Sequence, residues 1–239
     1  MKRISLVLFV FVFLAVNLHG GGGGFSYQVD FTSRFIFRGI DILSNNNPAI
    51  QPSITYTFGD SGFSLNAWSS FALSERDRCK YLDEIDLTLT YAFNTPEKYL
   101  LEVGFTNYGY WFSKAHRFKD MTTQEFFVKA GLPKVLFSPT LVAYYDINQG
   151  DGLYLQLSGV HTVALDKKIN LDLSAKLGYN AGWCIPEGAK KGFSALTIGA
   201  TAPFKAGKIT LCPFINYTFV FLDAINLNDE FWFGVSVIF

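Results

Sequence analysis

After residue 24 the sequence lacks any apolar run long enough to form a membrane-spanning helix. Such a helix needs about 20 consecutive, mostly apolar residues. Nevertheless, 49% of the 239 residues are hydrophobic and 17% are aromatic, with 25 phenylalanines among them. An ordinary membrane helix is therefore excluded for this part of the chain, and the apolar residues are spread through short alternating stretches.

Cysteine is also scarce, because the chain has only three. This number excludes a fold that depends on a framework of disulfides. Cys79 and Cys184 fall in predicted loops and either pair with each other, if those loops fold together, or stay free. Cys212 lies within a predicted strand and has no partner left.

The chain also has no net charge and few histidines, and both facts argue against certain classes of function. Twenty basic and twenty acidic residues give a formal charge of zero, so nothing predicts attraction to nucleic acid. After the N-terminal region only His116 and His161 remain. Neither is predicted beside a serine in the geometry of a hydrolase triad, so we expect no enzyme. No metal-ligand cluster or phosphate-binding loop is present either, so we predict no metal and no cofactor.

The first 24 residues have the pattern of an export signal rather than of a folded element. Lys2 and Arg3 precede an apolar segment, residues 4–16, that is too short for an ordinary membrane span. The glycines at 20–24 then form a flexible linker. We expect cleavage near residues 18–24, which leaves residues 25–239 as one exported domain.

The remaining sequence is dominated by strict alternation of apolar and polar residues. In residues 25–39 the odd positions are mostly apolar and the even positions mostly polar, with exceptions at Ser33 and Ile36. Successive strand side chains point to opposite faces, so this pattern predicts a strand with a different environment on each side. The pattern recurs in about twelve predicted strands, at residues 25–39, 49–58, 63–73, 83–93, 99–111, 123–132, 137–146, 153–164, 169–180, 193–204, 209–220 and 230–239.

These strands are about 10 residues long, which is the length that crosses a bilayer at a tilt of about 45°. The connections alternate between long and short, as they do in outer-membrane barrels. The sequence therefore predicts an all-β fold, a transmembrane antiparallel up-and-down β-barrel with both ends in the periplasm. In the strand at 153–164, Gly159 predicts a β-bulge.

A soluble β-sandwich also has alternating strands, but it does not need aromatic residues at the ends of its apolar faces. Here such residues recur in the manner of the two interfacial girdles of a membrane barrel. They are Phe25, Phe37, Phe58, Phe93, Tyr99, Phe137, Tyr145, Tyr179, Phe204, Phe231 and Phe239.

The phase of each predicted strand identifies the side chains that face the lumen. Basic residues of the first strand are expected to oppose acidic residues of strands across the barrel, which gives a transverse field suited to polar solutes. Glu230 is expected to pair with Arg34 or Arg38 at the closing seam. The charged residues predicted to line the pore are Arg34, Arg38, Glu84, Asp86, Glu102, Glu125, Lys129, Asp146, Lys176 and Glu230.

Aromatic residues are predicted on the same inner face. Their rings are suited to stacking of a solute, and equally to filling the volume of a narrow lumen. Twelve strands lie between the filled eight-stranded and the open sixteen-stranded barrels, so an open pore and a plugged one both remain. The predicted inner aromatic residues are Trp68, Tyr108, Tyr110, Tyr144, Tyr154 and Trp232.

The first four predicted strands contain the segments Ser33 to Ile40, Pro48 to Gln51, Gly62-Phe63 with Ala67 to Ser70, and Glu84 to Asp86 with Tyr91. In these segments the chain resembles the TorF-like porins of Gram-negative bacteria, whereas Thr90 replaces the glycine usual before that tyrosine. The resemblance implies an outer-membrane barrel with a channel role. The terminal Phe239 is also similar to the signal read by the outer-membrane assembly machinery.

Two functions follow as hypotheses from the sequence. The first is a porin-like channel in the outer-membrane lipid bilayer for passive diffusion of small hydrophilic solutes. The second is a non-conducting surface barrel whose outer loops, at residues 74–82, 112–122 and 181–192, bind a partner.

Overall fold

The computed structural model describes residues 23–79, 82–110, 122–166 and 169–239, with no description of the Tyr110 side chain. A short 3-10 turn spans Gly59–Ser61 and a single helical turn, α1, spans Arg76–Cys79. The strands are β1 Gly24–Thr32, β2 Ile36–Phe37, β3 Ile40–Asp41, β4 Ala49–Thr57, β5 Phe63–Ala72, β6 Glu84–Ala92, β7 Leu100–Tyr110, β8 Thr122–Gly131, β9 Thr140–Asp146, β10 Gly152–Ala164, β11 Asn170–Asn180, β12 Gly192–Thr201, β13 Phe204–Ala206, β14 Ile209–Val220 and β15 Glu230–Ile238.

Twelve of these strands form a closed antiparallel barrel, which confirms the predicted fold. Each of the twelve pairs with the barrel strand that comes next in the chain, and β2, β3 and β13 are not strands of the barrel wall. The barrel closes where β1 pairs with β15, with Phe31 opposite Val235. Among the described residues, no helix is long and apolar enough to cross a membrane.

The alternation read from the sequence separates the two faces of the barrel wall. Apolar side chains stand exposed on the outer face, where a soluble protein would present polar ones. The predicted aromatic residues near the strand ends are exposed on this face too, including Phe58, Phe93, Tyr179 and Phe231. Other outward residues are Leu65, Leu87, Leu89, Phe126, Val128, Leu141, Leu157, Leu173, Ile198, Ile215 and Phe233.

The two ends of the barrel differ in their connections. One end, here called the turn end, carries the tight connections 58–62, 93–99 and 132–139, together with the described start of β1 and the end of β15. At this end β13 also pairs with β14 beyond the wall. The opposite end, called the loop end, carries the connections 33–48, 73–83 and 181–191. Both described ends of the domain therefore lie at one end of the barrel, as an even strand count requires.

The prediction of a first strand at residues 25–39 is wrong in its second half. β1 ends at Thr32, and residues 33–48 turn inward as a segment containing the two-stranded hairpin β2–β3. Phe35, predicted on the lipid-facing side, is buried inside, and Phe37 packs against the same interior cluster. The change of direction occurs at Ser33, where the alternation of the sequence first fails.

The predicted β-bulge at Gly159 is also absent, because β10 pairs with β11 without interruption from Tyr154 to Ala164. A side chain at Gly159 would lie 3.0 Å from the carbonyl oxygen of Phe137. Glycine is therefore needed at position 159 because the backbone of Phe137 lies close to it, and not because the strand bulges there. The irregularity lies instead between Gly178 and Tyr179, against β12.

Candidate functional site

The inward segment 33–48, called the plug, occupies the loop half of the lumen. Its β2–β3 hairpin turns at Arg38 and Gly39, which have φ angles of 52° and 92°. Positive φ at both central residues is the geometry of the type I′ turns that join two strands tightly. A Cβ atom on Gly39 would lie 2.9 Å from the Cβ of Ala195 on β12. The tip of the hairpin thus reaches the wall at β12, three strands from β1 around the barrel.

Arg38, at this tip, is held by a buried carboxylate. Its Nη2 donates to Oε1 of Glu125 at 2.8 Å, and its Nη1 lies 2.8 Å from Oε2. The side chains of Arg38 and Glu125 are only 4% and 1% exposed. The hydroxyl of Tyr108 donates to the same Oε1 at 2.9 Å. Only the Nη2 contact of Arg38 with Glu125 is a hydrogen bond, and a hydrogen bond between two ionised groups is stronger than one between neutral groups.

Aromatic rings surround the Arg38 guanidinium as well. Its central carbon lies 4.5 Å from the ring centre of Tyr144, 4.6 Å from those of Tyr154 and Trp183, and 4.8 Å from that of Phe37. Desolvated cation–π contacts at such distances stabilise a cation. The set formed by Arg38, Glu125 and these four rings is called the clamp, and it fixes the plug to the wall of β8, β9 and β10.

The return arm of the plug packs against the loop 73–83. Leu43, Phe35 and Cys79 lie in one buried apolar cluster with Ala49 and Ala72. The side chain of Asn47 accepts a hydrogen bond from Ser74 at 2.6 Å. Within the same loop, Arg76 donates to both carboxylate oxygens of Asp83 at 2.6 Å. The plug is thus held at its base as well as at its tip.

Arg34 and Glu230 contact each other at the closing seam, as the sequence predicted. The amide of Asn226 donates to the other oxygen of Glu230 at 2.9 Å and to the carbonyl of Gly39 at 3.0 Å. This group therefore links the plug to the loop before β15. Neither arginine lies on β1, so the predicted basic wall of the first strand is wrong. Arg38 instead reaches across the lumen and pairs with Glu125 directly. The predicted transverse field between a basic wall and an acidic wall is therefore absent for this pair.

In the turn half of the barrel the inner face remains polar and half-exposed. Lys129 donates to Glu102 at 3.0 Å between β8 and β7. Lys176 lies midway along β11 and is exposed to the lumen, with no carboxylate of the described residues within ion-pair distance. At the loop end, by contrast, Asp146 of β9 accepts from Thr123 at 2.6 Å and from the backbone of Asn148 and Gly150. Its role is to hold the loop 147–151.

The predicted inner aromatic residues fall into two groups. Tyr144 and Tyr154 belong to the clamp, and Tyr108 packs against Phe37 of the plug with ring centres 6.0 Å apart. Trp68 packs against Phe35 of the plug with ring centres 5.3 Å apart. Trp232 lies apart from them, against Phe214 at 5.6 Å. The side chain of Tyr110 is outside the described part of the structure. Four of the six thus contact the plug, and whether any contacts a solute stays a prediction.

Trp183 and Asn226 are parts of this site that the sequence reading missed. Both lie in loops at the loop end, where no strand period assigns a side chain to a face. Phe37 was missed for a different reason, because its odd position placed it with the outward residues. The one available signal was the pair of exceptions at Ser33 and Ile36, which interrupt the alternation before the plug begins.

All three cysteines are free, with Cys184 exposed and Cys79 and Cys212 buried. We expect a maleimide to label Cys184 alone in the folded protein. Partial burial and the nearby Asp146 carboxylate raise the pKa of the Cys184 thiol, and the thiolate is the reactive form. Labelling should therefore be slow at pH 7 and faster at pH 9, as measured by mass spectrometry. A Cys184→Ser control should take up no label, and a second labelled site in the native protein would contradict the described burial.

A closed antiparallel barrel with an apolar outer face and a polar lumen is the architecture of outer-membrane β-barrels. The chain belongs to the Gcw_chp family, described as bacterial protein of unknown function, whose profile matches residues 19–217. No curated protein matches the chain by sequence. These comparisons do not test the resemblance to TorF-like porins, which stays a prediction.

Several solved barrels are similar to this one. The NanC porin, in a rhombohedral crystal form, superposes with a TM-score of 0.54 at 12% identity, covering 90% of this chain and 99% of that one. The translocator domain of the autotransporter NalP from Neisseria meningitidis has a TM-score of 0.46 at 12% identity, with coverage of 100% and 95%. An outer membrane channel from Pseudomonas putida F1 has a TM-score of 0.46 at 11% identity, with coverage of 90% and 93%. The likeness to the NanC porin is one of fold.

Proposed function

We propose that the chain is an outer-membrane channel for passive diffusion of small hydrophilic solutes, without catalytic activity. The observation that supports this most is the division of the barrel wall into an exposed apolar outer face and a polar inner face. Lipid is the solvent that suits the outer face, and water suits the inner one. A twelve-stranded barrel is wider than the eight-stranded barrels whose interior is filled by side chains.

In this proposal the plug sets the aperture of the channel. The loop half is filled by the hairpin and its apolar cluster. The turn half has half-exposed polar side chains and the exposed Lys176. A solute entering from the turn end meets a hydrated vestibule first and the clamp second. The rate of passage then depends on the space beside the plug and on how often the plug moves.

The route to the membrane remains part of the proposal. We infer that residues 1–24 act as a cleaved export signal; residues 1–22 of it lie outside the described residues. We also infer that the outer-membrane assembly machinery reads Phe239, whose side chain is exposed at the end of the chain. The resemblance to TorF-like porins supports the same location and role.

A non-conducting surface barrel is the second candidate, and the plug is the observation that favours it. Ion pairs and a buried apolar cluster close the loop half of the lumen. Such a barrel would act through the outer loops, of which residues 74–79, 82 and 181–192 are described. The loop at 112–122 lies almost wholly outside the described residues.

The channel is tested by reconstituting the purified chain in planar bilayers, and Lys176→Glu is the informative variant. We expect stable conductance steps, with a reversal potential in a KCl gradient that shifts toward cation selectivity in the variant. The physical reason is that Lys176 is a cation of the inner face without a carboxylate partner among the described residues, so its reversal changes the potential met by a permeating ion.

Lys205→Glu is the matched control. It makes the same charge change on β13, which lies outside the barrel wall, and should leave selectivity unchanged. Absence of conductance under all conditions would reject the channel and favour the non-conducting barrel. Conductance with equal selectivity in all three proteins would reject Lys176 as a pore-lining residue.

A further inference from the structure

A cavity of about 300 Å³ lies between the plug and the wall of β5, β6 and β7. The plug contributes Phe35 and Phe37, and the wall contributes Trp68 and Tyr108 together with two carboxylates, Glu84 and Asp86. The volume is large enough for a small organic molecule. Its walls thus combine aromatic rings with negative charge.

The two carboxylates differ from three other acidic groups of the inner face. Glu125, Glu230 and Glu102 each have a basic partner, namely Arg38, Arg34 and Lys129. Glu84 and Asp86 have none among the described residues, although they are only 4% and 8% exposed. They lie two residues apart on one face of β6 and contact each other.

Asp86 also presents an atom that the protein leaves unsatisfied. Its Oδ1 is buried and has no hydrogen-bond partner in the described part of the chain. An unpaired buried carboxylate oxygen is costly unless a donor or a cation meets it. Since Asp86 lines the cavity, a molecule in that cavity is placed to supply the missing partner.

The chemistry of the lining selects one class of ligand. Negative charge excludes anions. No group of three or more acidic, His or Cys side chains is arranged for a metal ion within the described residues. Aromatic rings beside carboxylates are the combination that binds organic ammonium groups.

We infer that this cavity binds a small organic ammonium cation, with the Glu84–Asp86 pair supplying the opposing negative charge and the rings of Trp68 and Tyr108 packing against its alkyl groups. The inference rests on the proposed function only for the aqueous route by which a solute reaches the cavity. If the inference holds, organic ammonium cations are a class of solute that the lumen binds specifically.

Choline chloride is the probe, titrated calorimetrically into the full chain refolded in detergent at pH 8 and constant ionic strength. We expect saturable binding of choline and no comparable binding of its uncharged isostere, 3,3-dimethyl-1-butanol. Asp86→Asn should weaken choline binding about tenfold or more, because a charge-assisted contact is lost. Glu84→Gln should weaken it in the same direction. Asp172→Asn is the control, since it makes the same change at an inner-face carboxylate outside the cavity.

The folding of each variant is checked by its heat-modifiable mobility on gels. This check distinguishes a loss of choline binding from a loss of the folded barrel. No choline binding by the wild-type chain would overturn the inference. Equal binding of the neutral isostere, or unchanged affinity in both Asp86→Asn and Glu84→Gln, would overturn it as well. The choline site and the proposed channel can fail independently. A chain that binds choline in detergent but passes no current in bilayers would support the site and reject the channel.

Discussion

Replacing residues 33–48 by Asn-Gly is expected to raise the single-channel conductance severalfold. Thr32 and Ala49 are direct partners across β1 and β4, so a two-residue type I′ turn can join the strands without a change of register. The variant loses the hairpin, the clamp arginine and the apolar cluster that fill the loop half. Conductance steps of the purified variant in planar bilayers measure the effect.

The matched control shortens a connection that does not enter the lumen. Phe58 donates its backbone N–H to the carbonyl of Phe63 at 3.0 Å, and residues 59–62 between them form a tight turn at the turn end, away from the plug. Replacing residues 59–62 by Asn-Gly should therefore leave the conductance near its wild-type value. If removal of the plug changes the conductance no more than this control does, the plug does not limit the flow of ions.

The barrel could be predicted because its strands repeat one alternation of apolar and polar residues. Each strand between two different environments repeats the same alternation, so strand number, closure and the two faces follow from a period of two. β11 is a clear case, because Leu171, Leu173 and Leu177 lie outward while Ser174 and Lys176 lie inward, as the sequence indicates. Local sequence is sufficient for such an element.

The plug was not predictable in the same way, because its residues continue the alternation of β1 with only two exceptions. Its turn is formed by Arg38-Gly39, whereas Asn-Gly and Asp-Gly are the usual signals of a type I′ turn. The inward position of the segment is stabilised by its contacts inside the barrel, which include those of Arg38 with Glu125 on β8 and with Trp183 in a loop. Those contacts join residues far apart in the chain and have no local pattern.

Arg34 and Glu230 show where prediction of the site succeeded. Both lie near the closing seam, whose position follows from the strand count alone, so proximity of the two charges could be inferred. The clamp required in addition that Arg38 leave the wall and cross the lumen. The identity of the inner charges was therefore predictable, and their partners were predictable only at the seam.

Substituting Arg38 by Met is the second prediction with a large expected effect. Met fills much of the space among the four rings of the clamp but leaves Glu125 buried without its cation. Removal of one member of a buried ion pair costs about 3–5 kcal/mol. We expect a loss of this size in the free energy of unfolding, measured by urea titration in detergent micelles with tryptophan fluorescence as the signal.

A double variant separates the charge from the packing. Arg38→Met with Glu125→Leu removes both charges, and apolar replacement of a buried pair is often nearly neutral, so most of the lost stability should return. Lys134→Met is the control for an exposed pair, because Lys134 contacts Glu97 at the turn end with both side chains mostly in solvent. Such pairs contribute about 0–1 kcal/mol. If Arg38→Met costs no more than Lys134→Met, the clamp does not hold the plug, and the apolar cluster around Leu43 and the contacts of Arg34 and Asn226 must do so.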